Sequence, residues 1–151
     1  MIIPKYYEDL HTLHVNTMPN RAYYIPASES MDTVGEKRRN SDRFILLNGN
    51  WQFRYYESIY DLKEKFYEEG YPAEGYGEIP VPGVWQNYGC DRHQYSNIRY
   101  PFPMDPPYVP YENPCGAYIY RFGYEKQMDA PEAYLNFEGV DSCFYVWLNG
   151  S

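Results

Sequence analysis

Four stretches of the chain alternate aromatic or aliphatic residues with polar ones, which is the pattern of a half-buried β-strand. They are residues 51–55, 117–125, 132–137 and 142–148. In the first stretch Trp51, Phe53 and Tyr55 alternate with polar side chains, so their rings should share one face of a sheet. The pattern predicts four or five strands, counting one edge strand described next.

Other local signals predict a helix, an edge strand and two turns. Ile59, Leu62 and Phe66 recur at helical spacing before Gly70, so residues 59–69 are expected to form a short surface helix. Residues 78–82 contain two prolines, and because proline cannot donate to a β-ladder they are expected to be an edge strand at most. The dipeptides Asn48-Gly49 and Asn149-Gly150 predict turns, the second of them a hairpin turn.

A long proline-rich segment follows the predicted edge strand. Nine of the thirteen prolines lie between Pro72 and Pro114, and the part through residue 110 is expected to lack regular structure. Its aromatic rings are costly to leave in water. We therefore expect an ordered loop that packs against a neighbour or lines a pocket. The rings concerned are Trp85, Tyr88, Tyr95, Tyr100, Phe102 and Tyr108.

Several strands with little helix predict an all-β sandwich. Hydrophobic periodicity is weak in residues 1–43, which are expected to form an extended N-terminal arm, with a disordered leader as the alternative. Residues 44–151 are expected to form the sandwich. Since the hairpin signal at Asn149-Gly150 is followed by no returning strand, we expect the sandwich to be incomplete at its C-terminal end and the chain to be a fragment.

Composition and charge narrow the classes of partner. Aromatic residues make up 20% of the chain, with 20 tyrosines, a residue that suits surfaces holding polar ligands. The net charge of −8 argues against binding nucleic acid or an anionic membrane surface. We expect no targeting segment and no membrane span. The cysteines Cys90, Cys115 and Cys143 lack zinc or redox spacing, so reduced thiols in a cytoplasmic protein are expected.

Short motifs are spread along nearly the whole chain: NRAYYIP at 20–26, LNGNWQF at 47–53, VPGVWQ at 81–86, YSNIRYPFP at 95–103, DPPYVP at 105–110, NPCGAY at 113–118, FEGVDS at 137–142 and WLNG at 147–150. In their order and spacing, these motifs resemble the opening of family 2 glycoside hydrolases of the β-galactosidase type. Each motif is weak alone, and their combination is specific.

The resemblance implies a galactose-binding-like jelly-roll β-sandwich that precedes an immunoglobulin-like domain and a TIM barrel. It implies a retaining enzyme for terminal β-D-galactosides, whose two catalytic glutamates lie on the barrel roughly 5 Å apart. This chain would then hold no catalytic residue and be inactive alone. The resemblance further implies a homo-oligomeric parent enzyme with Mg and Na, whose ligands lie mostly outside this segment, so no metal ligand is nominated here.

Asn97 is the first candidate for substrate binding. The resemblance implies that this Asn, within the 95–103 motif, reaches into the active site of the barrel and hydrogen-bonds the galactosyl ring. An amide suits that role because it offers a donor and an acceptor without charge. The alternative is an Asn that holds a turn in the loop.

Trp85, Tyr100 and Tyr95 are further candidates, because the apolar face of a pyranose stacks on an aromatic ring. For each of them the alternative is packing within the domain or between domains. The polar cluster at residues 91–93 includes His93 and could supply a base or a metal ligand, with a loop salt bridge or a backbone cap as the alternative.

The leading functional hypothesis is a non-catalytic N-terminal portion of a β-galactosidase that shapes the substrate pocket and contacts neighbouring domains or subunits. One alternative is a stand-alone carbohydrate-binding module. The other is a fragment that complements a truncated partner enzyme.

Overall fold

The regular structure is a three-stranded antiparallel sheet with the strand order β2-β1-β3. A computed structural model describes residues 2–32 and 38–151, so that Met1 and residues 33–37 of the predicted arm lie outside the described residues. The strands are β1 (Gly49–Tyr56), β2 (Gly77–Val81) and β3 (Cys115–Ile119). With almost no helix beside this sheet, the prediction of an all-β chain is confirmed, whereas the jelly-roll strand order stays a prediction.

The register of the sheet gives it one aromatic face. Trp51 pairs with Ile79 of β2, and Phe53 pairs with Tyr118 of β3. Residues opposite each other in a ladder project from the same face, so these side chains pack together. The ring centroids of Phe53 and Tyr118 are 4.8 Å apart, and Trp51 stacks on Tyr120 at 4.9 Å. The alternation predicted for residues 51–55 is therefore confirmed.

The opposite face of the sheet carries a second small core. Tyr56, Leu62 and Ala117 are buried against one another, and Ile2 and Phe66 pack at their margin. Ala117 is fully buried, which leaves no room there for a larger side chain. Side chains pack on both faces of the sheet and fix it in place, so the loops that leave the ends of its strands start from fixed positions.

The predicted helix at residues 59–69 is wrong, because only one 3-10 turn forms, at Ile59–Asp61. Ser58 caps this turn by accepting a hydrogen bond from the Tyr60 backbone amide. Leu62 then has extended backbone angles, φ −75° and ψ 96°, and its side chain is buried in the second core. Tertiary burial of Leu62 thus overrides the helical spacing.

The other described helices are also single 3-10 turns, at Tyr6–Glu8, Arg38–Asn40 and Trp85–Tyr88. None of the helices in the described ranges has both the length and the apolar character needed to cross a membrane.

The strands predicted at 132–137 and 142–148 do not join the described sheet, and the strand predicted at 117–125 ends at Ile119, so the expected four or five strands are corrected to three in the described residues. Side-chain contacts hold these segments instead of ladder bonds. Phe137 and Phe144 lie 5.3 Å apart, and Trp147 stacks on Tyr67 at 4.5 Å. Alternation alone marks a residue pattern that suits a strand, but a ladder also needs a partner strand.

The two Asn-Gly signals have different outcomes. Asn149 and Gly150 both have positive φ, 50° and 83°, and Leu148 and Ser151 exchange backbone hydrogen bonds across them at 2.9 and 3.2 Å. This is the geometry of a two-residue hairpin turn, so the second prediction is confirmed. The first is wrong, because Gly49 begins β1.

Candidate functional site

Trp85 lies on the aromatic face of the sheet, close to the strand ends from which the long loop leaves. Its ring is 6.4 Å from that of Phe53 and 5.8 Å from that of Tyr55. The indole is partly buried, and its Nε1 is a buried donor without a hydrogen-bond partner among the described residues. Trp85 therefore packs on the sheet, which was the alternative to sugar stacking, and the stacking role stays a prediction.

Gly116 makes this position of Trp85 possible, and the sequence analysis missed it. A Cβ atom at Gly116 would lie 2.6 Å from Cε2 of Phe53 and 3.0 Å from Cε3 of Trp85. Only a residue without a side chain lets both rings approach the β3 backbone so closely. The available signal was an isolated glycine inside a strand, which often marks a close approach to the backbone.

The long loop starts at the 3-10 turn Trp85–Tyr88. Gly89 ends this turn in the left-handed conformation, φ 83°, and the Cys90 amide donates to the Trp85 carbonyl at 3.2 Å. His93 Nε2 lies 2.9 Å from Oδ1 of Asn87, which ties the next part of the loop back to the turn. His93 is thus engaged in a loop contact rather than in a charge pair with its neighbours.

The far end of the loop is fixed to the segment that follows β1. The Ile59 amide donates to the Asn113 carbonyl at 2.8 Å, and the buried Ser58 hydroxyl donates to the Tyr111 carbonyl at 2.5 Å. The rings of Tyr60 and Tyr111 stack with centroids 5.2 Å apart. The segment predicted to lack regular structure contains one 3-10 turn, Trp85–Tyr88, whereas residues 90–114 contain no helix or strand, and both ends of this loop are anchored.

Asn97 lies in a turn between these anchors. The amides of Ile98 and Arg99 both donate to the Tyr95 carbonyl, at 3.3 and 3.2 Å, so backbone bonds close the turn. Asn97 is exposed, and its side-chain amide makes no hydrogen bond within the described residues. The turn therefore presents a free amide to whatever faces the loop. The predicted contact with a sugar stays a prediction.

Tyr95 and Tyr100, the remaining candidates, are 70% and 63% exposed. Tyr100 contacts Phe102 edge-on at 6.3 Å. A cavity of about 170 Å³ lies farther along the loop, between Tyr108 and Val109 and the neighbouring residues Pro103, Asp105 and Pro110. The rings of Tyr95 and Tyr100 are thus free to contact another surface, and their predicted role at a neighbour or a sugar stays a prediction.

Several titratable groups on the two faces of the sheet are held in their neutral forms. Burial raises the pKa of the Cys115 thiol to about 11 and also raises the pKa of Tyr118. Burial, aided by the Asp91 carboxylate, raises the pKa of Tyr55. These groups stay protonated at neutral pH. They offer aromatic and neutral hydrogen-bonding surface, and we assign no acid–base pair to them.

Residues 2–32 and 38–151 contain no group of three or more His, Cys, Asp or Glu side chains that could hold a metal ion. The resemblance places most of the Mg and Na ligands outside this segment, so the metal sites of the parent enzyme stay a prediction, and no chemical step is derived through a metal.

Comparisons with known proteins give the family. Residues 44–151 match the family model described as glycosyl hydrolases family 2, sugar binding domain. The chain is 46% identical over 149 residues to a β-galactosidase of Actinobacillus pleuropneumoniae and 43% identical over 150 residues to one of Staphylococcus xylosus, 99% of the chain in both cases. It is 40% identical over 131 residues, 83% of the chain, to a β-galactosidase of Leuconostoc mesenteroides.

These alignments cover only 14%, 15% and 12% of the three relatives, so the chain spans about one seventh of their length. The family match covers the sheet, Trp85 and the whole loop that carries Asn97. The chain therefore belongs to the glycosyl hydrolases of family 2, and its residues 44–151 match that family's sugar-binding domain.

Proposed function

We propose that this chain is the non-catalytic N-terminal portion of a retaining β-galactosidase and that its loop 90–114 supplies Asn97 to the substrate pocket. The observation that carries the proposal is the exposed turn at residues 95–99, whose backbone is closed by hydrogen bonds while the Asn97 amide stays free. The β-galactosidase names of the relatives support the substrate class.

The chemistry of an amide suits a galactoside. Asn97 can donate to one sugar oxygen and accept from one hydroxyl, and it adds no charge that would need a counterion. Retaining hydrolysis needs an acid and a nucleophilic carboxylate across the scissile bond. In this proposal those two groups lie in the rest of the parent enzyme, and the role of Asn97 is to orient the galactosyl ring toward them.

The exposed aromatic residues of the loop are proposed to contact a neighbouring domain or subunit. Tyr95 and Tyr100 present large apolar surfaces that would be desolvated when another domain or subunit covers the loop. The proposal places the loop between the sandwich, the catalytic domain and the sugar, in a cytoplasmic enzyme built from several copies. Trp85 and Gly116 act indirectly, because they fix the start of the loop on the sheet.

The test is a chimera in which this chain replaces the matching segment of the Actinobacillus pleuropneumoniae enzyme. We expect the chimera to hydrolyse a chromogenic β-galactoside, whereas this chain alone shows no turnover. Asn97→Ala in the chimera should lower kcat/KM about tenfold, the value of one or two neutral hydrogen bonds. Gln94→Ala, at an exposed amide three residues away, is the matched control and should change kcat/KM less than about twofold.

Equal effects of the two substitutions in an active chimera would refute the role of Asn97. Turnover that copurifies with the isolated chain would refute the statement that it is non-catalytic.

The rival functions predict different results with the isolated chain. A stand-alone carbohydrate-binding module would bind galactose or lactose saturably in titration calorimetry, which we do not expect because one free amide offers few contacts to offset the cost of association. A complementing fragment would restore activity when mixed with a relative that lacks its first 150 or so residues. Phe144, Val146 and Leu148 form an exposed apolar row that a strand of another chain could cover. This row supports complementation, which is compatible with the main proposal.

A further inference from the structure

Three arginines join the N-terminal arm to a segment about one hundred residues later in the chain. We call residues 21–32 and 38–43 the strap, and residues 127–138 the docking segment. The arginines are Arg21, Arg38 and Arg43. Their partners in the docking segment are two carboxylates, an amide and an aromatic ring.

The first contact is a triangle of Arg38, Glu138 and Tyr23. The Arg38 guanidinium forms an ion pair with the Glu138 carboxylate. The Tyr23 hydroxyl accepts from Nη1 of Arg38 at 3.0 Å and donates to Oε1 of Glu138 at 3.0 Å. Each member therefore touches the other two, and the charge pair orients the Tyr23 ring of the strap.

The second contact is a fork between Arg43 and Asp129. Nη1 and Nη2 of Arg43 donate to the two carboxylate oxygens of Asp129, at 3.1 and 2.5 Å, and Nη1 also contacts Gln127. The Gln127 amide donates in turn to the Asp42 carbonyl at 3.1 Å. Two parallel bonds to one carboxylate are the strongest form of an arginine ion pair. Consistently, the Arg43 guanidinium lowers the pKa of Asp129.

The third contact is a cation on two rings. The Arg21 guanidinium lies 4.9 Å from the ring of Tyr24 within the strap and 5.0 Å from the ring of Tyr134 in the docking segment. A cation–π interaction of this kind stabilises the contact between the strap and the docking segment even where the side chains remain exposed to solvent.

Apolar burial contributes little to the attachment. Ser41 is the one strap residue that is buried, and its hydroxyl donates to the Pro26 carbonyl within the strap. Tyr23 and Tyr24 remain 59% and 55% exposed. The side chains of Arg38 and Glu138 are 37% and 48% exposed, so salt weakens their contact, with a Debye length of about 8 Å at physiological ionic strength. The Arg43 side chain is 15% exposed, and salt screens its pair with Asp129 less.

We propose that the docking of the strap on residues 127–138 is controlled by charge, so that the strap is held at low ionic strength and released when salt screens the pair of Arg38 and Glu138 or when the charge of Arg38 or Arg43 is reversed. The inference does not depend on the proposed function, because it concerns contacts within the chain. Release or docking of the strap would expose or cover residues 127–138 without any change in the sheet.

The test is limited proteolysis of the full chain with chymotrypsin, followed by mass spectrometry at the bonds after Tyr23 and Tyr24. Rates are measured at about 20 mM and about 500 mM NaCl, on either side of the range in which exposed charges are screened. Each rate is divided by that of a free peptide of residues 19–32, which removes the effect of salt on the protease. When opening is fast, this ratio follows the population of released strap.

Arg38→Glu should raise the cleavage ratio about fivefold at low salt, the effect expected from breaking one exposed charge network. Arg39→Glu is the matched control, because the Arg39 side chain has the same charge, is exposed and forms no hydrogen bond, ion pair or ring contact with the described residues. It should leave the ratio unchanged. The swap Arg38→Glu/Glu138→Arg should restore a ratio near that of the wild type, with the far-ultraviolet circular dichroism checked for each variant. High salt should raise the wild-type ratio toward that of Arg38→Glu.

Two results would overturn the proposal. One is equal cleavage of the Arg38→Glu and Arg39→Glu variants in chains with native circular dichroism. The other is a wild-type ratio that does not change with salt. If Arg38→Glu loses its native spectrum, the wild-type salt series alone decides the question.

Discussion

Replacing Gly116 with alanine tests whether Trp85 and Phe53 lie against the β3 backbone as described. The φ of Gly116 is outside the left-handed region, so alanine is compatible with the backbone and only the space is at issue. The new Cβ would lie 2.6 Å from Cε2 of Phe53 and 3.0 Å from Cε3 and Cζ3 of Trp85. Carbon atoms prefer a separation of about 3.5–4.0 Å, so the Phe53 ring must retreat by about 1 Å.

The magnitude follows from two opposing effects. Forcing an extra carbon into a packed site costs about 1–3 kcal/mol. Removing a glycine also lowers the conformational entropy of the unfolded chain, which offsets about 0.4–1 kcal/mol of that cost. The net loss in the free energy of unfolding is therefore about 1–2 kcal/mol, and Tm should fall by about 2–8 °C for a chain of this size.

The assay is urea unfolding of the 151-residue chain followed by tryptophan fluorescence. The matched control is Gly123→Ala, because a Cβ at Gly123 meets no atom within 4 Å and its φ is also outside the left-handed region. This control should be neutral or more stable by up to about 1 kcal/mol. Phe53→Leu removes the ring carbon that clashes, so the loss from Gly116→Ala should be smaller in the Phe53→Leu background than in the wild type.

The close packing of Trp85 and Phe53 on β3 is refuted if Gly116→Ala is as stable as Gly123→Ala. It is also refuted if Gly116→Ala and Phe53→Leu add without coupling, because two groups that clash cannot act independently.

Three further predictions concern single residues. The Cys115 thiol, with its pKa raised to about 11, should be alkylated by iodoacetamide slowly at about pH 8 and faster up to about pH 11. Half-maximal alkylation near pH 8.5 would contradict the burial of this thiol. Because the pKa of Cys115 is higher in the folded state, its contribution to stability is complete below the unfolded pKa of about 8.5 and is lost as the pH rises toward 11. Cys115→Ala should therefore reduce the fall in Tm at alkaline pH. Ser58→Ala should cost about 1–2 kcal/mol in urea unfolding, because it leaves the Tyr111 carbonyl without its donor, whereas the exposed Ser96→Ala should cost nearly nothing; equal losses would contradict the anchor. Gly150→Ala should weaken the terminal turn by about 1 kcal/mol because its φ is 83°, which hydrogen exchange of the Ser151 amide would detect, and unchanged protection would contradict it.

The sheet could be predicted where a local pattern decides the structure. The alternation around Trp51 predicted β1 because the rings of residues 51–55 lie on one face of an extended strand, whatever residues pack against that face. Pro80 predicted an edge strand because the missing donor is a property of the residue itself. The turn at Asn149-Gly150 likewise follows from two residues that tolerate positive φ.

Features that depend on distant partners could not be predicted in this way. The helical spacing of Ile59 and Leu62 gave a wrong prediction because Leu62 is needed in the core beneath β1 and β3. The place of Asn97 in the loop followed from the order of motifs, but the fit of Trp85 over Gly116 involves residues 31 positions apart. The ion pair of Arg38 with Glu138 spans 100 positions, and nothing in the local sequence names either partner.

Pro80 makes the two edges of the three-stranded sheet unequal in their ability to pair with a further strand. The outer edge of β2 lacks one donor at the residue that pairs with Asn50, so an incoming strand would leave an acceptor unmatched there. The other border, β3, contains no proline between Cys115 and Ile119 and keeps its full set of amides. Self-association through the β2 border is thereby discouraged, and further strands would be added beside β3.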